Sequence, residues 1–477
     1  MKQVGMNKSR KNMGFVLGVF SLAFIFLISY FIYSTLNYGQ QWFTNAYNPR
    51  LSSQRAKVST GKILDRNGVV LASSDGEQRQ YNSDETLRRA VSHVVGDSYG
   101  MTNGAESYFA PYLLGFNSGI VDRLYASFSG RAEQGDDVVL SVDANLSSYA
   151  YQLLGSSHGA IVLSNYRTGE LLVSVSSPTF DPENMDHYKD ADTQDGGQEQ
   201  PGALVNRVTM GRYTPGSVFK IVTAAAALKY RPDLTAMTYD CTTEPLVING
   251  VQLNCYHNTA HGMMDLEQAF AKSCNKYFAQ LALQIGAPTL RRTAEELGFN
   301  EEFLLQDFIL YSSSYSPGES DSDFAFSAIG QFEDTMTPMH MNMISSSIAN
   351  GGVMMEPRLL EQALNDRTTT YRMQTAKLKT VVSAEIADRL SDLMVACVEG
   401  GTGSSAGIDG LRVGGKTGTA EVATDGSKAP HSWFTGFIQD ERHPIAITVV
   451  VENGGAGSAV AAPMAGKILA QAVKLGH

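Results

Sequence analysis

The stretch that decides the fold is YTPGSVFKIVTAAAALKY, residues 213–230. Its Pro-Gly pair predicts a helix start, and the Ala-rich run that follows is apolar on nearly every side, which predicts a buried helix. Ser217 and Lys220 then share one face of the first turn, with Cβ atoms about 5–6 Å apart. A serine hydroxyl becomes an effective nucleophile when a neighbouring base takes its proton, and desolvation can turn a lysine into that base. The pair is a candidate for an activated serine nucleophile, but S-x-x-K alone is weak evidence because a surface pair at this spacing also arises by chance.

A second candidate element lies at 271–276, where AKSCNK follows the helix-like run LEQAFA. Ser273 supplies a hydroxyl that can relay a proton, and Asn275 supplies an amide that both donates and accepts hydrogen bonds. On its own, S-x-N is also a common helix cap, so its meaning depends on the other segments.

A third element is LRVGGKTGTAEV at 411–422, which reads as a strand. With two-residue alternation, Lys416 and Gly418 share one face, and Thr417 and Thr419 share the other. Glycine at 418 removes bulk beside Lys416, as a strand that closely approaches a helix or a substrate requires. Such a strand can hold an extended peptide by pairing with it; the alternative is an ordinary strand with a glycine bulge.

The order S-x-x-K, S-x-N and K-T-G resembles the site of penicillin-binding proteins, and the chain resembles their class B members, the monofunctional peptidoglycan D,D-transpeptidases. The resemblance covers nearly all of the sequence after residue 36. The segments that carry it are GKILDRNG (61–68), HVVG (93–96), DVVLSVDANL (137–146), TGELLVSVSSPTFDP (168–182), HG (261–262), SCNKYFA (273–279), IGQ (329–331), TPMHM (337–341), IANGG (348–352), GTG (401–403), GGKTGTAE (414–421), SWFTGF (432–437) and ENGG (452–455).

The resemblance implies an α+β fold with a central antiparallel sheet flanked by helices in the transpeptidase domain. It predicts four regions: a cytoplasmic tail (1–12), a transmembrane anchor (13–36), a small mostly-β pedestal (37–136) and the penicillin-binding transpeptidase domain (137–477). The pedestal is shorter than the non-catalytic domain of many relatives. The chain also departs from the family at 330–332, where Gly-Gln-Phe stands in place of the usual Gly-Gln-Gly.

The resemblance also implies a role for each catalytic residue. Ser217 would attack the carbonyl between the last two D-alanines of a stem peptide, with Lys220 as general base. Ser273 would relay the proton to the leaving D-alanine, and Lys416 would hold it electrostatically. Asn275 would bind the donor peptide and orient the base.

Substrate binding is implied for the KTG strand. Thr417 and Thr419, on either side of Gly418, would bind the terminal carboxylate, and the backbone N–H groups of Ser217 and Thr419 would form the oxyanion hole. An amine from a neighbouring stem peptide would then take the acyl group and close a cross-link. β-Lactams would acylate Ser217 because they mimic the D-Ala-D-Ala end.

The first 36 residues predict a membrane anchor. Residues 13–36 contain no charged residue or histidine, and 24 residues rise about 36 Å as a helix, enough to cross a hydrocarbon core of about 30 Å. The positive residues before them predict a cytoplasmic N-terminus and an extracytoplasmic body. A cleaved signal peptide has a shorter apolar region, about 7–15 residues, and a small-residue cleavage site, so a retained single-pass anchor is favoured. Those positive residues are Lys2, Lys8, Arg10 and Lys11.

Charge excludes one class of function. The 477 residues carry 37 Lys+Arg and 48 Asp+Glu, a net charge of −11. Removing the four positive charges of the tail from −11 leaves −15 for the rest of the chain. An acidic surface does not suit phosphate backbones, so nucleic acid is not an expected partner.

Three other functions share parts of this pattern. A β-lactamase needs a carboxylate that activates water, and Glu296 and Asn300 superficially match such an E-x-x-x-N loop; a helix that ends at Gly298, with Glu296 on its exposed side, is the better interpretation. A carboxypeptidase that passes the acyl group to water stays open. A non-catalytic β-lactam sensor would need an intracellular signalling domain, for which twelve residues before the anchor leave no space.

Cysteine and histidine positions predict no metal or cofactor site. Cys241 and Cys255 flank the hairpin-like segment TTEPLVINGVQLN, and an exported location permits a disulfide between them. The remaining two cysteines are expected as buried apolar side chains. His257 and His261 lack nearby carboxylates at zinc-ligand spacing, and no phosphate-binding or dinucleotide fingerprint is present.

The resemblance implies peptidoglycan stem peptides and β-lactams as ligands. It also implies a SEDS-family glycan polymerase as a membrane partner that would contact the anchor and pedestal. Whether the chain acts in division, elongation or sporulation, and which amine is its acceptor, stays open at this level.

Overall fold

The computed structural model describes residues 2–43, 49–55, 58–75, 78–116, 133–188, 202–365, 368–422 and 427–477. The strands within these ranges are β1 (Val58–Ser59), β2 (Ile63–Leu64), β3 (Val70–Asp75), β4 (Gln78–Tyr81), β5 (Glu133–Gln134), β6 (Asp137–Leu140), β7 (Gly159–Asn165), β8 (Leu171–Ser177), β9 (Tyr239–Cys241), β10 (Leu246–Ile248), β11 (Val251–Leu253), β12 (Gly262–Met264), β13 (Val353–Met355), β14 (Leu360–Leu364), β15 (Thr369–Arg372), β16 (Lys377–Thr380), β17 (Val413–Ala420), β18 (His431–Ile438) and β19 (Ile445–Val451).

The α-helices within the same ranges are Lys2–Phe43, Pro49–Arg55, Glu85–Ala90, Ser92–Val95, Ala105–Tyr108, Ala110–Leu113, Ala144–Leu154, Lys220–Tyr230, Leu266–Ala271, Asn275–Ile285, Ala287–Glu296, Asp321–Ser327, Pro338–Ala349, Ala384–Gly400 and Ala461–Lys474. Short 3₁₀ turns lie at Met185–Tyr188, Gly216–Phe219, Pro232–Ala236, Tyr256–Asn258 and Ser404–Ala406. The α+β class predicted from sequence is confirmed.

The N-terminal helix is the membrane candidate. It spans Lys2–Phe43, and its segment Asn12–Thr35 has a mean hydropathy of 2.5, with every side chain except that of Ser34 exposed. These 24 residues, most of them apolar, are long enough as a helix to cross a bilayer. The chain therefore has one N-terminal apolar helix of the kind found in single-pass membrane proteins.

A six-stranded sheet joins the two sides of residue 136. Its order is β15-β14-β6-β2-β3-β4. A hairpin joins β2 and β3, with Gly68 of its turn in the left-handed region at φ 82°. β2 pairs in parallel with β6, and β6 pairs on its other side with β14. The predicted pedestal thus shares a sheet with strands from the catalytic region, and a domain boundary at 136 stays a prediction.

The central sheet is antiparallel throughout, with the order β17-β18-β19-β7-β8. Along β7, Ile161 and Leu163 face one core, and Ala160 and Val162 face the other. The first core is covered by the helices Ala144–Leu154 and Ala461–Lys474. On the opposite face lies the helix Pro338–Ala349, together with the buried helix Lys220–Tyr230. This layering brings the start of the Lys220 helix against edge strand β17.

Two small hairpins complete the surroundings of the site. β9 pairs with β12, and β10 pairs with β11, both antiparallel. They lie in sequence between the Lys220 helix and the S-x-N segment, and the cavity beside that segment is lined by Gln252 of β11 and by residues of the loop from Asn254 to His261.

Candidate active site

The candidate nucleophile Ser217 lies in a tight turn that begins with a glycine. Gly216 has φ 57°, a left-handed conformation that glycine adopts without strain, and Gly216–Phe219 forms a 3₁₀ turn before the helix Lys220–Tyr230. The Gly216 N–H donates to the Gly330 carbonyl at 2.7 Å. Ser217 Oγ then lies 3.0 Å from Lys220 Nζ. The predicted i, i+3 pair is therefore in direct contact.

Lys220 is a buried cation held by oxygen atoms. Its side chain is fully buried, and its Nζ donates to the Ser273 carbonyl at 2.7 Å, to Ser273 Oγ at 3.2 Å and to Asn275 Oδ1 at 2.7 Å. Burial, assisted by the charge of Lys416, lowers the pKa of Lys220 from 10.5 to about 7. A lysine with this pKa is partly neutral at physiological pH and can accept a proton from the hydroxyl of Ser217.

The S-x-N segment forms a sharp turn into a helix. Ser273 has φ 57°, which is unusual for a residue with a side chain, and Cys274 caps the helix Asn275–Ile285. This geometry sets Ser273 Oγ between two ammonium groups, 3.2 Å from Lys220 and 2.9 Å from Lys416. Asn275 Nδ2 donates to the Asn254 carbonyl at 2.9 Å, which fixes its Oδ1 toward Lys220.

The KTG strand β17 is the edge of the central sheet and packs against the nucleophile turn. A Cβ at Gly418 would lie 3.1 Å from the Pro215 carbonyl oxygen, so glycine permits the close approach that the sequence predicted. Lys416 is fully buried, and desolvation lowers its pKa. Its Nζ donates to Ser273 Oγ and to the Thr417 carbonyl at 3.0 Å.

These elements enclose a cavity of about 490 Å³. Of the predicted site residues, Ser217, Ser273, Asn275, Thr417 and Thr419 line it. The two lysines and the glycine lie in the layer behind, and the contacts above join all eight predicted residues into one site.

Sequence reasoning missed two members of this site. Thr402 lines the cavity, and its Oγ1 lies 2.5 Å from Thr417 Oγ1. Asn254 holds the amide of Asn275 through its carbonyl group. Position 402 falls in the GTG segment that carried the family resemblance, whereas a backbone acceptor such as that of residue 254 has no sequence signal.

Glu296, the carboxylate that the β-lactamase alternative requires, is hydrogen-bonded outside the cavity. Glu296 ends the helix Ala287–Glu296 and accepts hydrogen bonds from Lys229 Nζ at 2.8 Å and Tyr230 Oη at 2.6 Å. It does not line the cavity, and neither does Asn300, whose Nδ2 donates to the Tyr315 carbonyl. These contacts remove the observation that favoured a β-lactamase.

All four cysteines are buried free thiols. Cys241 and Cys255 lie near each other as expected, with a 3.7 Å separation between the sulfur atoms and no bond. The structure also places His261 and Cys274 beside them, a group of possible metal ligands that the sequence pattern did not indicate. The members of this group come from distant segments, and three of them are thiols rather than carboxylates.

The site defines a class of enzyme by its geometry. A serine in contact with a buried lysine, a second serine between two lysines, and an edge strand with threonines in the cavity are the parts of a serine acyltransferase of the penicillin-recognising type.

Comparison with known proteins identifies the family. The model of the penicillin-binding protein transpeptidase domain matches residues 159–470. The peptidoglycan D,D-transpeptidase PbpA of Mycolicibacterium smegmatis is 30% identical over 373 residues, which cover 74% of this chain and 76% of that protein. PbpA of Mycobacterium tuberculosis is 31% identical over 374 residues, covering 74% and 75%. The chain belongs to the penicillin-binding protein transpeptidase family, as one of its class B members.

Solved structures agree with this assignment. Penicillin-binding protein A of M. tuberculosis, as its ceftriaxone acyl-enzyme complex, superimposes with a TM-score of 0.78 at 27% identity, covering 88% of this chain and 99% of that one. The D,D-transpeptidase domain of a peptidoglycan glycosyltransferase from Eggerthella lenta gives a TM-score of 0.76 at 28% identity, with coverage of 88% and 99%. The fold and the enzyme family are those of serine D,D-transpeptidases.

Proposed function

We propose that the chain is a peptidoglycan D,D-transpeptidase whose nucleophile is Ser217. The observation that carries the proposal is the 3.0 Å contact between Ser217 Oγ and Lys220 Nζ, combined with a Lys220 pKa lowered to about 7. As Oγ attacks the carbonyl between the last two D-alanines of a stem peptide, its proton passes to the neutral amine. The acyl–enzyme ester then forms with loss of the terminal D-alanine.

Proton delivery to the leaving D-alanine runs through Ser273. Its hydroxyl lies within hydrogen-bond distance of Lys220, and the Lys416 ammonium donates to the same oxygen. The oxygen can therefore accept a proton from one side and give its own proton to the departing amine. Lys416 stabilises the charge that develops on this oxygen, and Asn275 keeps Lys220 in place.

Substrate binding uses edge strand β17. β17 is an edge strand whose Thr417 and Thr419 line the cavity, so an extended stem peptide can pair with it as an added strand. Thr417 and Thr419 present hydroxyls to the substrate carboxylate, and Gly418 lets the strand approach the nucleophile turn. The N–H groups of Ser217 and Thr419 form the oxyanion hole, a contact whose loss costs about 10²–10³ in rate.

The acyl group is then transferred to an amine of a neighbouring stem peptide, which closes a cross-link and restores Ser217. β-Lactams enter the same reaction as mimics of D-Ala-D-Ala and leave a slowly hydrolysed ester. Glu296 is engaged by Lys229 and Tyr230 and lies outside the cavity lining, so this carboxylate is not placed to activate water for that ester.

The membrane arrangement is part of the proposal. The tail 1–12 lies in the cytoplasm, the helix crosses once, and the pedestal (37–136) and catalytic domain (137–477) lie outside, because the positive residues precede the apolar segment. The unpacked apolar helix offers a surface to a SEDS-family glycan polymerase in the same membrane. Reporter fusions at each end test the orientation, and co-purification from membranes with and without the helix tests the partner.

The central experiment is labelling with a fluorescent penicillin. Wild type should form one covalent adduct, Ser217→Ala should form none, and Ser458→Ala, which changes another serine of the same cavity, should label normally. Covalent labelling of Ser217→Ala at the wild-type rate would disprove the assignment.

Product analysis separates transpeptidase from carboxypeptidase. A pentapeptide stem incubated with an amine acceptor should yield cross-linked dimer. If only the tetrapeptide appears at every acceptor concentration, water is the acceptor and the proposal of cross-linking is wrong.

A further inference from the structure

Three thiols and one imidazole converge behind the wall of the cavity. Cys241 ends β9, Cys255 follows β11, His261 precedes β12, and Cys274 caps the helix Asn275–Ile285. Their ligand atoms all lie within 4.8 Å of one another. Cys255 and His261 also line the cavity itself, so this cluster borders the substrate site.

Three of the six separations between these atoms match those of a tetrahedral metal site, and the other three lie within 4.8 Å. Zinc binds thiolate at about 2.3 Å and imidazole at about 2.0–2.1 Å, so a tetrahedron requires S···S distances of about 3.8 Å and S···N distances of about 3.6 Å. The structure has 3.7 Å between the sulfurs of Cys241 and Cys255, 3.6 Å between those of Cys255 and Cys274, and 3.5 Å from Cys241 Sγ to His261 Nδ1. A ligand set of three cysteines and one histidine is a common closed, structural zinc site.

The surroundings favour bound thiolates. The Tyr277 N–H, at the start of an eleven-residue helix, points at Cys274 Sγ at 3.4 Å, and a helix N-terminus stabilises negative charge. Lys276 is fully buried and donates to the carbonyl groups of Thr242 and Glu244 at 2.9 and 2.6 Å. Because three thiolates around a divalent ion leave one net negative charge, a buried ammonium next to this loop offsets that charge.

We infer that Cys241, Cys255, Cys274 and His261, through its Nδ1, bind one divalent ion of the zinc class. Binding replaces three thiol protons, which pass to solvent, and involves no change of oxidation state. The ion ties both small hairpins to the turn that carries Ser273 and Asn275. It is a structural ion, with four protein ligands and no position for substrate.

A disulfide is the competing arrangement, and the geometry argues against it. Cys255 is nearly equidistant from the other two sulfurs, at 3.7 and 3.6 Å, so it could bond to only one of them. Such a bond would leave the third thiol and His261 without a function in the cluster. One ion uses all four groups.

The ion has a consequence for catalysis, which rests on the proposed function. Cys274 stands between Ser273 and Asn275, and the side chains of both contact Lys220. Fixing the sulfur of residue 274 therefore fixes the two groups that position the base. Cys274 acts as a positioning residue, and metal removal should slow acylation of Ser217 without abolishing penicillin recognition.

The test uses the full chain purified in detergent and Zn²⁺ as the probe. Elemental analysis should find about one zinc ion per wild-type chain, and replacement by Co²⁺ should give the intense thiolate charge-transfer and visible bands of a tetrahedral site. His261→Ala and Cys241→Ser should weaken zinc binding by more than about 100-fold, beyond the effect of losing an outer-shell contact.

The chain supplies matched controls for both residue types. Cys397→Ser changes the one buried cysteine outside the cluster, and His257→Ala changes a histidine that lines the same cavity. Both should keep the metal. Because cluster variants can fail to fold, the wild type is also stripped with a chelator; adding Zn²⁺ back should raise its melting temperature and restore the rate of penicillin labelling.

Three results would overturn the inference. The first is a wild-type chain that binds zinc no more tightly than His261→Ala does. The second is a count of only two free thiols, instead of four, in the denatured chain without reductant. The third is a loss of metal in Cys397→Ser equal to that in the cluster variants. Failure of the Ser217 assignment would look different, because labelling would then be independent of Ser217 while metal content and the Co²⁺ spectrum stayed the same.

Discussion

Raising the pH from 6 to 8 should increase the rate at which a penicillin acylates Ser217 by about tenfold. The base must be neutral to accept the proton, and burial together with Lys416 lowers the pKa of Lys220 to about 7. With that value the neutral fraction is about 9% at pH 6 and about 91% at pH 8. The rate should therefore rise through a midpoint near pH 7 and then level off.

The assay is the pseudo-first-order rate of fluorescent penicillin labelling, with intrinsic fluorescence recorded at each pH to confirm that the protein stays folded. Lys416→Met removes the cation that helps to lower the Lys220 pKa, so the midpoint should move to higher pH. Lys272→Met removes an exposed cation of the same cavity and should leave the midpoint in place.

Three outcomes would contradict parts of this reasoning. A rate that grows tenfold per pH unit up to pH 9 would mean that Lys220 keeps its ordinary pKa. A rate independent of pH between 6 and 8 would mean that this lysine is not the base. A midpoint unchanged in Lys416→Met would mean that the charge of Lys416 does not lower the pKa of Lys220.

Three further predictions concern single side chains. Asn275→Asp puts a carboxylate 2.7 Å from Lys220 Nζ and raises the pKa of Lys220. Labelling at pH 7 should therefore slow by at least about tenfold and recover at higher pH, and a rate equal to that of the wild type contradicts this. Gly330→Ala puts a Cβ 2.1 Å from the Gly216 carbonyl oxygen, so it should lose about 2–4 kcal/mol of stability in thermal melts, whereas Gly351→Ala, with similar φ but open space, should lose about 1–2 kcal/mol. Burial raises the pKa of Asp334 to about 9, so the folded state keeps a proton that the unfolded chain loses above about pH 4. The stability of the wild type should therefore fall as the pH rises from about 4 toward 9, and the melting temperature of Asp334→Asn should exceed that of the wild type by a growing margin over this range. A margin that shrinks would exclude a protonated carboxyl.

Local sequence patterns predicted the local structure well. The buried helix Lys220–Tyr230, the strand β17 and the contact between Ser217 and Lys220 each depend on residues a few positions apart. Turn chemistry and the helical repeat determine such features directly. The wider site was predicted because the family resemblance supplied the pairing of distant segments.

Features that depend on long-range packing escaped prediction. The left-handed backbone of Ser273 carries no composition signal, because asparagine or glycine would be the usual choice there. The ligands of the proposed metal site are separated by 13, 5 and 12 residues, unlike the short C-x-x-C pairs by which zinc sites are recognised in sequence. Only the pairing of β9 with β12 brings His261 beside Cys241.

The six-stranded sheet affects what happens when the chain is cut. β6 begins at Asp137 and is hydrogen-bonded on one side to β2, from before residue 136, and on the other to β14, from more than two hundred residues later. Cleavage near residue 136 would break the chain but leave the hydrogen bonds between these strands in place, so the two fragments would stay associated. For the same reason, a membrane-proximal segment exchanged between relatives would fit only where the residues that pair β2 with β6 are transferred with it.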